Sequence, residues 1–157
     1  MTEATAATET TTTKESKALE VVRSSMGWSA GAGLLPLPGL DVAAIVGVQL
    51  KMLHSMAKIY DVPFKGNMVK PLVVALIGGG STAMLGGVAA SLVKSVPIVG
   101  SLAGMLSMPA VAAASSWATG KVFIRHFESG GTFLDFDPAK ARAYYAEQFS
   151  QAQAQAA

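Results

Sequence analysis

Apolar residues in the first third of the chain recur at helical spacing and predict two helices. Between residues 14 and 35, Leu19, Val22 and Met26 lie three or four positions apart, which places them on one face of a helix. A similar apolar stripe predicts a second helix over about 41–60, with polar side chains gathered on another of its sides.

The break between these two helices contains two prolines and a glycine. Pro36, Pro38 and Gly39 stand close together, and proline clashes with the preceding helical turn whereas glycine permits a reversal. Asp41 follows where its carboxylate can cap the second helix. We therefore predict a helical hairpin. Its first limb, 24–37, reaches only about 21 Å, which suits a dip into one leaflet or a place in a protein core.

Two long uncharged runs predict a second hairpin. Residues 71–93 contain no charged side chain, and a helix of that length reaches roughly 35 Å, enough to cross a hydrocarbon core of roughly 30 Å. Residues 95–120 are uncharged as well. Pro97 and Gly100 lie near the reversal between the runs, beside Lys94. The pattern predicts that this hairpin spans a bilayer.

Glycine and proline also mark the last elements. Gly130 and Gly131 predict the end of the second uncharged limb, and 132–136 is expected to be a short extended or turn segment. Asp137 precedes a proline, a pair that predicts the start of an amphipathic helix over 138–149. No segment alternates as a strand does. The predicted fold class is all-α, with tandem helical hairpins of glycine-rich apolar helices plus a C-terminal amphipathic helix.

The two ends of the chain have biased compositions. Residues 1–13 are rich in Thr, Ala and Glu and predict a disordered tail, because nothing there can bury apolar surface. Residues 151–157 alternate Gln and Ala, a tail that either prolongs the last helix or frays. A single helical, membrane-associated domain is predicted for 14–150. The N-terminus shows no basic start followed by an apolar run, so no secretory signal peptide is expected.

Small residues fall at four-residue intervals along the apolar helices. Such faces let helix backbones approach closely, which is how helices associate in lipid. In water the same glycines would each cost about 1 kcal/mol relative to alanine. The residues predicted to pack helices together are Gly27, Gly31, Gly79, Ala83, Gly87, Ser91 and Gly104.

The composition favours an apolar environment for part of the surface. Hydrophobic residues make up 51% of the 157 residues and charged residues 14%, against about 25% charged in a typical soluble domain. Lipid, a partner or self-association is expected to cover the excess apolar surface. A net charge of +2 with scattered cations argues against nucleic acid. The absence of cysteine excludes disulfides and thiolate metal sites.

The cations give an expected orientation. Several lysines precede the second predicted hairpin and Lys121 and Arg125 follow it, whereas only Lys94 marks its tip. Cytoplasmic loops carry the excess of positive charge. We expect a bacterial inner or intracytoplasmic membrane with both termini cytoplasmic.

Chemical motifs are weak. Residues 27–31 match the G-x-S-x-G pattern around Ser29, but that nucleophile motif needs a strand–turn–helix context, and a small-residue helix face is the better interpretation. His54 and His126 have no nearby carboxylate cluster, so no metal site is predicted. We expect no catalytic residues, no cofactor and no small-molecule substrate, and therefore no enzyme.

A resemblance to a known family rests on several segments. The chain resembles the bacterial DUF697 family of GTPase-associated proteins over roughly 15–146, and its first hairpin alone loosely resembles the EcsC family. The resemblance implies a helical membrane-associated module, sometimes fused to or encoded near a GTPase, with no assigned activity. Since no GTPase domain is present, any such partner would be a separate protein. The segments are Leu34-Leu35-Pro36-Leu37-Pro38-Gly39-Leu40-Asp41, Gln49-Leu50-Lys51-Met52, Ile59-Tyr60-Asp61, Thr119-Gly120-Lys121 and Phe127-Glu128-Ser129-Gly130.

Two functional hypotheses follow from these patterns. The first is a non-catalytic membrane protein that acts by self-assembly or by presenting Lys51, His54 and Lys58 to a headgroup or a protein partner. The second is a soluble homo-oligomer that buries its apolar hairpins between subunits.

Overall fold

The computed structural model describes residues 2–32, 40–77 and 100–156, and all regular structure within them is helical. The all-α fold class predicted from the sequence is therefore confirmed. The helices are α1 (Thr2–Ala32), α2 (Leu40–Ile59), α3 (described over 66–77), α4 (Gly100–Glu128) and α5 (Pro138–Ala156).

Helix α4 is the central helix of the bundle. Helices α1, α2 and α5 all pack against it, and from Ala112 to Phe127 most of its side chains are buried. Its C-terminal part adds Phe123 and Phe127 to an aromatic cluster that also contains Phe133 and Phe136 from the following loop. A helix that is buried on nearly all sides needs apolar or small residues all round, which is what the uncharged run supplies.

The surrounding helices each bury one stripe. On α1, Ala18, Val22, Ser25 and Ser29 are buried at spacings of three and four residues, the period that keeps side chains on one helix face. The same spacing holds for the buried residues Val69, Val73 and Leu76 of α3 and Tyr145, Gln148 and Ala152 of α5.

The N-terminal residues are helical, which corrects one prediction. Helix α1 begins at Thr2, so 2–13 belong to its first turns and not to a disordered tail. A lack of apolar residues predicts poor burial but does not by itself exclude a helix. Ala and Glu in this segment are good helix formers, whereas its seven Thr are poor ones. At the other terminus, α5 continues to Ala156, so the Gln/Ala repeat prolongs the last helix.

Two helix boundaries follow the predicted chemistry, and a third has a left-handed residue at the helix end. Helix α4 ends at Glu128. Gly130, two residues further on, has a left-handed φ of 85°, and the Gly131 amide donates to the His126 carbonyl. Helix α5 starts after Asp137, whose carboxylate accepts from the Ala139 amide at 3.0 Å. The end of α2 uses Asp61 with a φ of 55°, a position where glycine is the usual residue.

Hydrogen bonds and ion pairs fix the directions of the helices. At one end of the bundle Lys14 pairs with Asp61 at 3.8 Å, and Tyr60 donates to Glu128 at 2.5 Å. Further along, Ser29 Oγ lies 2.5 Å from Ser116 Oγ. Helix α1 is therefore antiparallel to α4, whereas α2 runs parallel to it. The end of the bundle near the contact of Tyr60 with Glu128 is called the Glu128 end, and the opposite end, where α4 begins, is called the Gly100 end.

The predicted bilayer spans are only partly covered by the structure. Residues 78–93 and 95–99 lie outside the described residues. The rest of the second predicted span lies in α4, where most residues from Ala112 onward are buried against neighbouring helices. No helix, as far as the chain is described, has both the length and the apolar content that a bilayer crossing requires.

Candidate functional site

Charged residues are distributed unevenly along the bundle axis. Asp41 is the one charged residue between 24 and 50, Lys94 is the one between 71 and 120, and 148–157 contain none. Because α1 runs toward the Gly100 end and α2 and α4 start there, the described parts of the first two stretches meet at that end. Helix α5, whose Tyr145 reaches Ser115 of α4, runs toward it as well. In the described part of the chain Asp41 is thus the one charged residue near the Gly100 end, and we call this charge-poor end the uncharged end of the bundle.

A groove with a volume of about 430 Å³ lies between α1 and α2. Trp28 stands at its rim with 70% of its surface exposed. Across the groove Lys51 is exposed, and Met52 forms part of the buried floor. The groove residues are Glu20, Val21, Ser24, Ser25, Trp28, Val48, Lys51, Met52 and Ser55. Lys51 was predicted from the sequence as a contact residue, and the pairing of α1 with α2 brings Trp28 to the same groove.

The three predicted contact residues of α2 share its exposed side. Lys51, His54 and Lys58 are all exposed, at spacings of three and four residues that keep them on one face. The His54 ring centroid lies 4.8 Å from that of Phe64, just after α2. This face is therefore accessible to a headgroup or a partner.

Two predicted helix-packing glycines do not pack helices in this structure. Gly27 and Gly31 are exposed, and a Cβ built on either meets no neighbouring atom within 4 Å. The close approach occurs at Gly120, where a built Cβ would lie 2.7 Å from Val22 Cγ1. Gly104 lies in α4, and its contacts are outside the described part of the structure. The predicted packing residues Gly79, Ala83, Gly87 and Ser91 lie outside the described residues.

The predicted hairpin turns are likewise largely outside the described chain. Pro36, Pro38, Gly39 and Pro97 lie in undescribed segments, and Gly100 is the first residue of α4. Asp41 was predicted to precede α2 as its cap. Helix α2 begins at Leu40, so Asp41 lies in the first turn of the helix and not before it.

Ser29 has a structural role in the core. It is fully buried inside α1 and hydrogen-bonded to Ser116. It is not at a strand-to-helix turn, which is the setting that a G-x-S-x-G nucleophile needs.

A buried polar network links three helices and was not predicted from the sequence. Gln49 of α2 accepts from Thr119 Oγ1 at 2.9 Å and donates to Ser115 Oγ at 3.0 Å. Ser115 Oγ also lies 3.0 Å from the Tyr145 hydroxyl of α5. Burial raises the pKa of Tyr145 to about 12, so its hydroxyl stays protonated. The network satisfies polar groups that would otherwise be costly in a core.

A second concavity, of about 460 Å³, lies between the end of α4 and the start of α5. His126 Nε2 lies 2.7 Å from the Thr132 carbonyl oxygen and 3.2 Å from Asp135 Oδ1. The Thr132 amide donates to Asp135 at 2.6 Å, and this bond, followed by the contact with His126, lowers the pKa of Asp135. Basic and acidic side chains both line this concavity, which gives it no dominant charge. Within the described ranges no group of three potential ligands could hold a metal ion.

Comparisons with known proteins give a family and one named relative. The family model described as "Domain of unknown function (DUF697)" matches residues 2–154. A protein of Magnetospirillum gryphiswaldense named magnetosome membrane protein 22 is 37% identical over 131 residues, which are 82% of this chain and 67% of the relative. No solved structure matches the chain.

Proposed function

The chain belongs to the DUF697 family, and from that premise we propose that it is a non-catalytic, membrane-associated helical protein. In this proposal the uncharged end of the bundle lies in or against a bilayer, and the Glu128 end, which carries the charges, stays in water.

The uneven distribution of charge along the bundle axis is the observation that carries this proposal. A charged side chain near the centre of a bilayer costs about 2.5–3.5 kcal/mol on insertion scales. A bundle with both ends in water has no reason to exclude charge from one of them. Within the described residues 24–32, 40–50 and 100–120, the parts of α1, α2 and α4 that lead to this end, Asp41 is the one charged residue.

The named relative supports the same location. It is called a magnetosome membrane protein, and we propose a bacterial membrane for this chain by similarity. That both termini are cytoplasmic stays a prediction from the cation pattern. That a separate GTPase is the partner stays a prediction from the family resemblance.

Extraction of membranes from cells that express the full chain tests the location. We expect the protein to stay in the pellet after carbonate and to be released by detergent, because apolar segments in the bilayer resist high pH. Release into the soluble fraction as a large particle would overturn the membrane proposal.

A matched pair of arginine variants sharpens this test. Leu85→Arg places a charge inside the uncharged run 71–93 and should reduce the carbonate-resistant fraction. Asn67→Arg adds the same charge at an exposed position between Lys65 and Lys70 and should leave extraction unchanged. Equal behaviour of the two variants would mean that the uncharged run is not in lipid.

A soluble homo-oligomer is the second candidate function. It is favoured by the exposure of Trp28 (70%) and Val74 (49%) in the single chain, surfaces that another copy would cover. In this case the protein forms a stable particle without detergent. Gly87→Leu, which blocks a close helix contact, should then break the particle.

A further inference from the structure

The α1/α2 groove presents an indole, an ammonium and a carboxylate in a fixed order along the bundle axis. On α1, Trp28 and Glu20 lie eight residues apart, roughly 12 Å along the helix. Helix α2 is antiparallel to α1, and the register is set by the pairing of Lys14 with Asp61 at the other end of the two helices. At about 1.5 Å per residue this register puts Val48 at about the height of Trp28 and Lys51 at about the height of Ser24. From the uncharged end outward, the order is therefore Trp28, Lys51, Glu20.

The groove residues are free to meet a ligand. Glu20 and Lys51 are exposed, and neither takes part in an ion pair within the described part of the chain. Trp28 exposes 70% of its surface, and Gly27 leaves open space beside it. An indole of this kind is favoured at the boundary between hydrocarbon and water, where its ring is shielded and its N–H stays wet.

We propose that this groove binds a bilayer phospholipid whose headgroup carries both a phosphate and a primary ammonium, as in phosphatidylethanolamine. The inference rests on the proposed function, which puts the uncharged end of the bundle on the membrane side. Lys51 pairs with the phosphate, and the Glu20 carboxylate accepts hydrogen bonds from the ammonium. Trp28 covers the glycerol and the first acyl carbons, against the side chains of Val48 and Met52.

The order of the charges selects this headgroup over others. In phosphatidylethanolamine the phosphate is attached to glycerol and the ammonium lies further out. In the groove Lys51, the partner of the phosphate, is likewise nearer the uncharged end than Glu20, the partner of the ammonium. An anionic lipid without an ammonium leaves Glu20 facing a like charge, which is unfavourable. A choline headgroup has the positive charge but no N–H to donate to Glu20.

Fluorescence of Trp28 measures occupancy of the groove. Trp117→Phe removes the other tryptophan, which is half-buried beside Lys121, and leaves Trp28 as the reporter. The full-length variant is reconstituted in vesicles of phosphatidylglycerol mixed with either phosphatidylethanolamine or phosphatidylcholine, and flotation establishes that it is bound. We expect bluer emission and weaker acrylamide quenching with phosphatidylethanolamine.

Charge-removing variants assign the roles of the two charged groups. Glu20→Gln should abolish the difference between the two lipid mixtures, whereas Glu147→Gln, an exposed carboxylate on α5, should preserve it. Lys51→Gln should raise the fraction of phosphatidylethanolamine at which Trp28 is half-maximally protected from acrylamide. The expected increase is about fivefold, which corresponds to the upper range of free energies for an exposed ion pair. Lys58→Gln, on the same helix but outside the groove, should not.

Three results would overturn the inference. The first is equal Trp28 emission in the two mixtures, and the second is equal protection by phosphatidylglycerol alone. The third is protection that rises with protein concentration in detergent without lipid, which would assign the groove to a second copy of the chain. A protein that floats with vesicles but leaves Trp28 exposed refutes only this inference, whereas a protein that does not float refutes the proposed function as well.

Discussion

Val22 and Gly120 illustrate at the residue scale how closely α1 and α4 approach. A Cβ added at Gly120 would lie 3.1 Å from Val22 Cβ and closer still to both methyl groups, and Val22 is fully buried. We expect Gly120→Ala to lower the free energy of unfolding by about 1–3 kcal/mol, the usual cost of overpacking a core. Thermal unfolding followed by circular dichroism in a fixed detergent measures this change.

Gly27→Ala is the matched control for this substitution. It adds the same methyl group on α1 at a site with nothing within 4 Å, so it should raise stability by about 0.5–1 kcal/mol through helix propensity. Val22→Ala combined with Gly120→Ala should recover part of the loss by making room. If Gly120→Ala stabilised the protein as Gly27→Ala does, the close contact would be absent.

The same glycines show what a spacing pattern can predict. Gly27 and Gly31 have the four-residue interval of a packing face, and so do Ser116 and Gly120. The structure places the second pair against α1 and leaves the first pair open. The interval defines a face of small residues, but which face meets a neighbour depends on tertiary packing, which local sequence does not contain.

Gln49 carries the second prediction at this scale. Gln49→Ala leaves the buried hydroxyl of Thr119 without its acceptor and removes a donor to Ser115. Each buried polar group left unpaired costs about 1–3 kcal/mol. Gln151→Ala, exposed on α5, should stay within about 0.5 kcal/mol of the wild type. Chemical denaturation of both variants compares them, and equal midpoints would contradict a role for the network.

The loop from Ser129 to Asp137 is the element whose structure was least predictable from the sequence. Its turn residues were predictable, because Gly130 and Asp137 have the residue types that end and start helices. The burial of Phe133 and Phe136 against Phe123 was not. A short segment of mixed residues has no period, so its contacts are decided by the helices around it.

This loop should loosen in acid, which is a prediction at the scale of the element. The hydrogen bond from the Thr132 amide and the contact with His126 hold the pKa of Asp135 below the ordinary aspartate value of 3.8. A carboxylate with a lowered folded-state pKa stabilises the loop at pH values above 3.8, and this contribution is lost as the pH falls through the folded-state value.

The Thr132 amide resonance reports this transition directly. In an NMR titration its shift should move with a midpoint below pH 3.8, and in Asp135→Asn the movement should disappear. A midpoint at or above 3.8 would show that the carboxylate is not held by these contacts.

At the scale of the whole molecule, the sequence contained the uncharged runs but not their arrangement. Residues 95–120 were predicted to cross a bilayer, yet α4 from Ala112 onward is the centre of a helical bundle. Low charge is required both by lipid and by a core helix enclosed on all sides, so composition alone does not separate the two. The antiparallel packing of α1 on α4, seen in Ser29 and Ser116, is what collects the uncharged stretches at one end.

Arginine at the uncharged end tests whether that end meets lipid, water or another subunit. Ala43 and Gly47 are exposed on one face of α2 near the Gly100 end. In lipid, Ala43→Arg with Gly47→Arg should release the protein into the carbonate supernatant, since each charge costs up to about 3 kcal/mol near a bilayer centre. If this end lies in water, the double variant should be extracted as the wild type is. If it lies between subunits, the double variant should form smaller particles whether or not membranes are present. Asn67→Arg with Ala143→Arg, at exposed positions of α3 and α5, adds the same charge away from this end and should change neither extraction nor particle size.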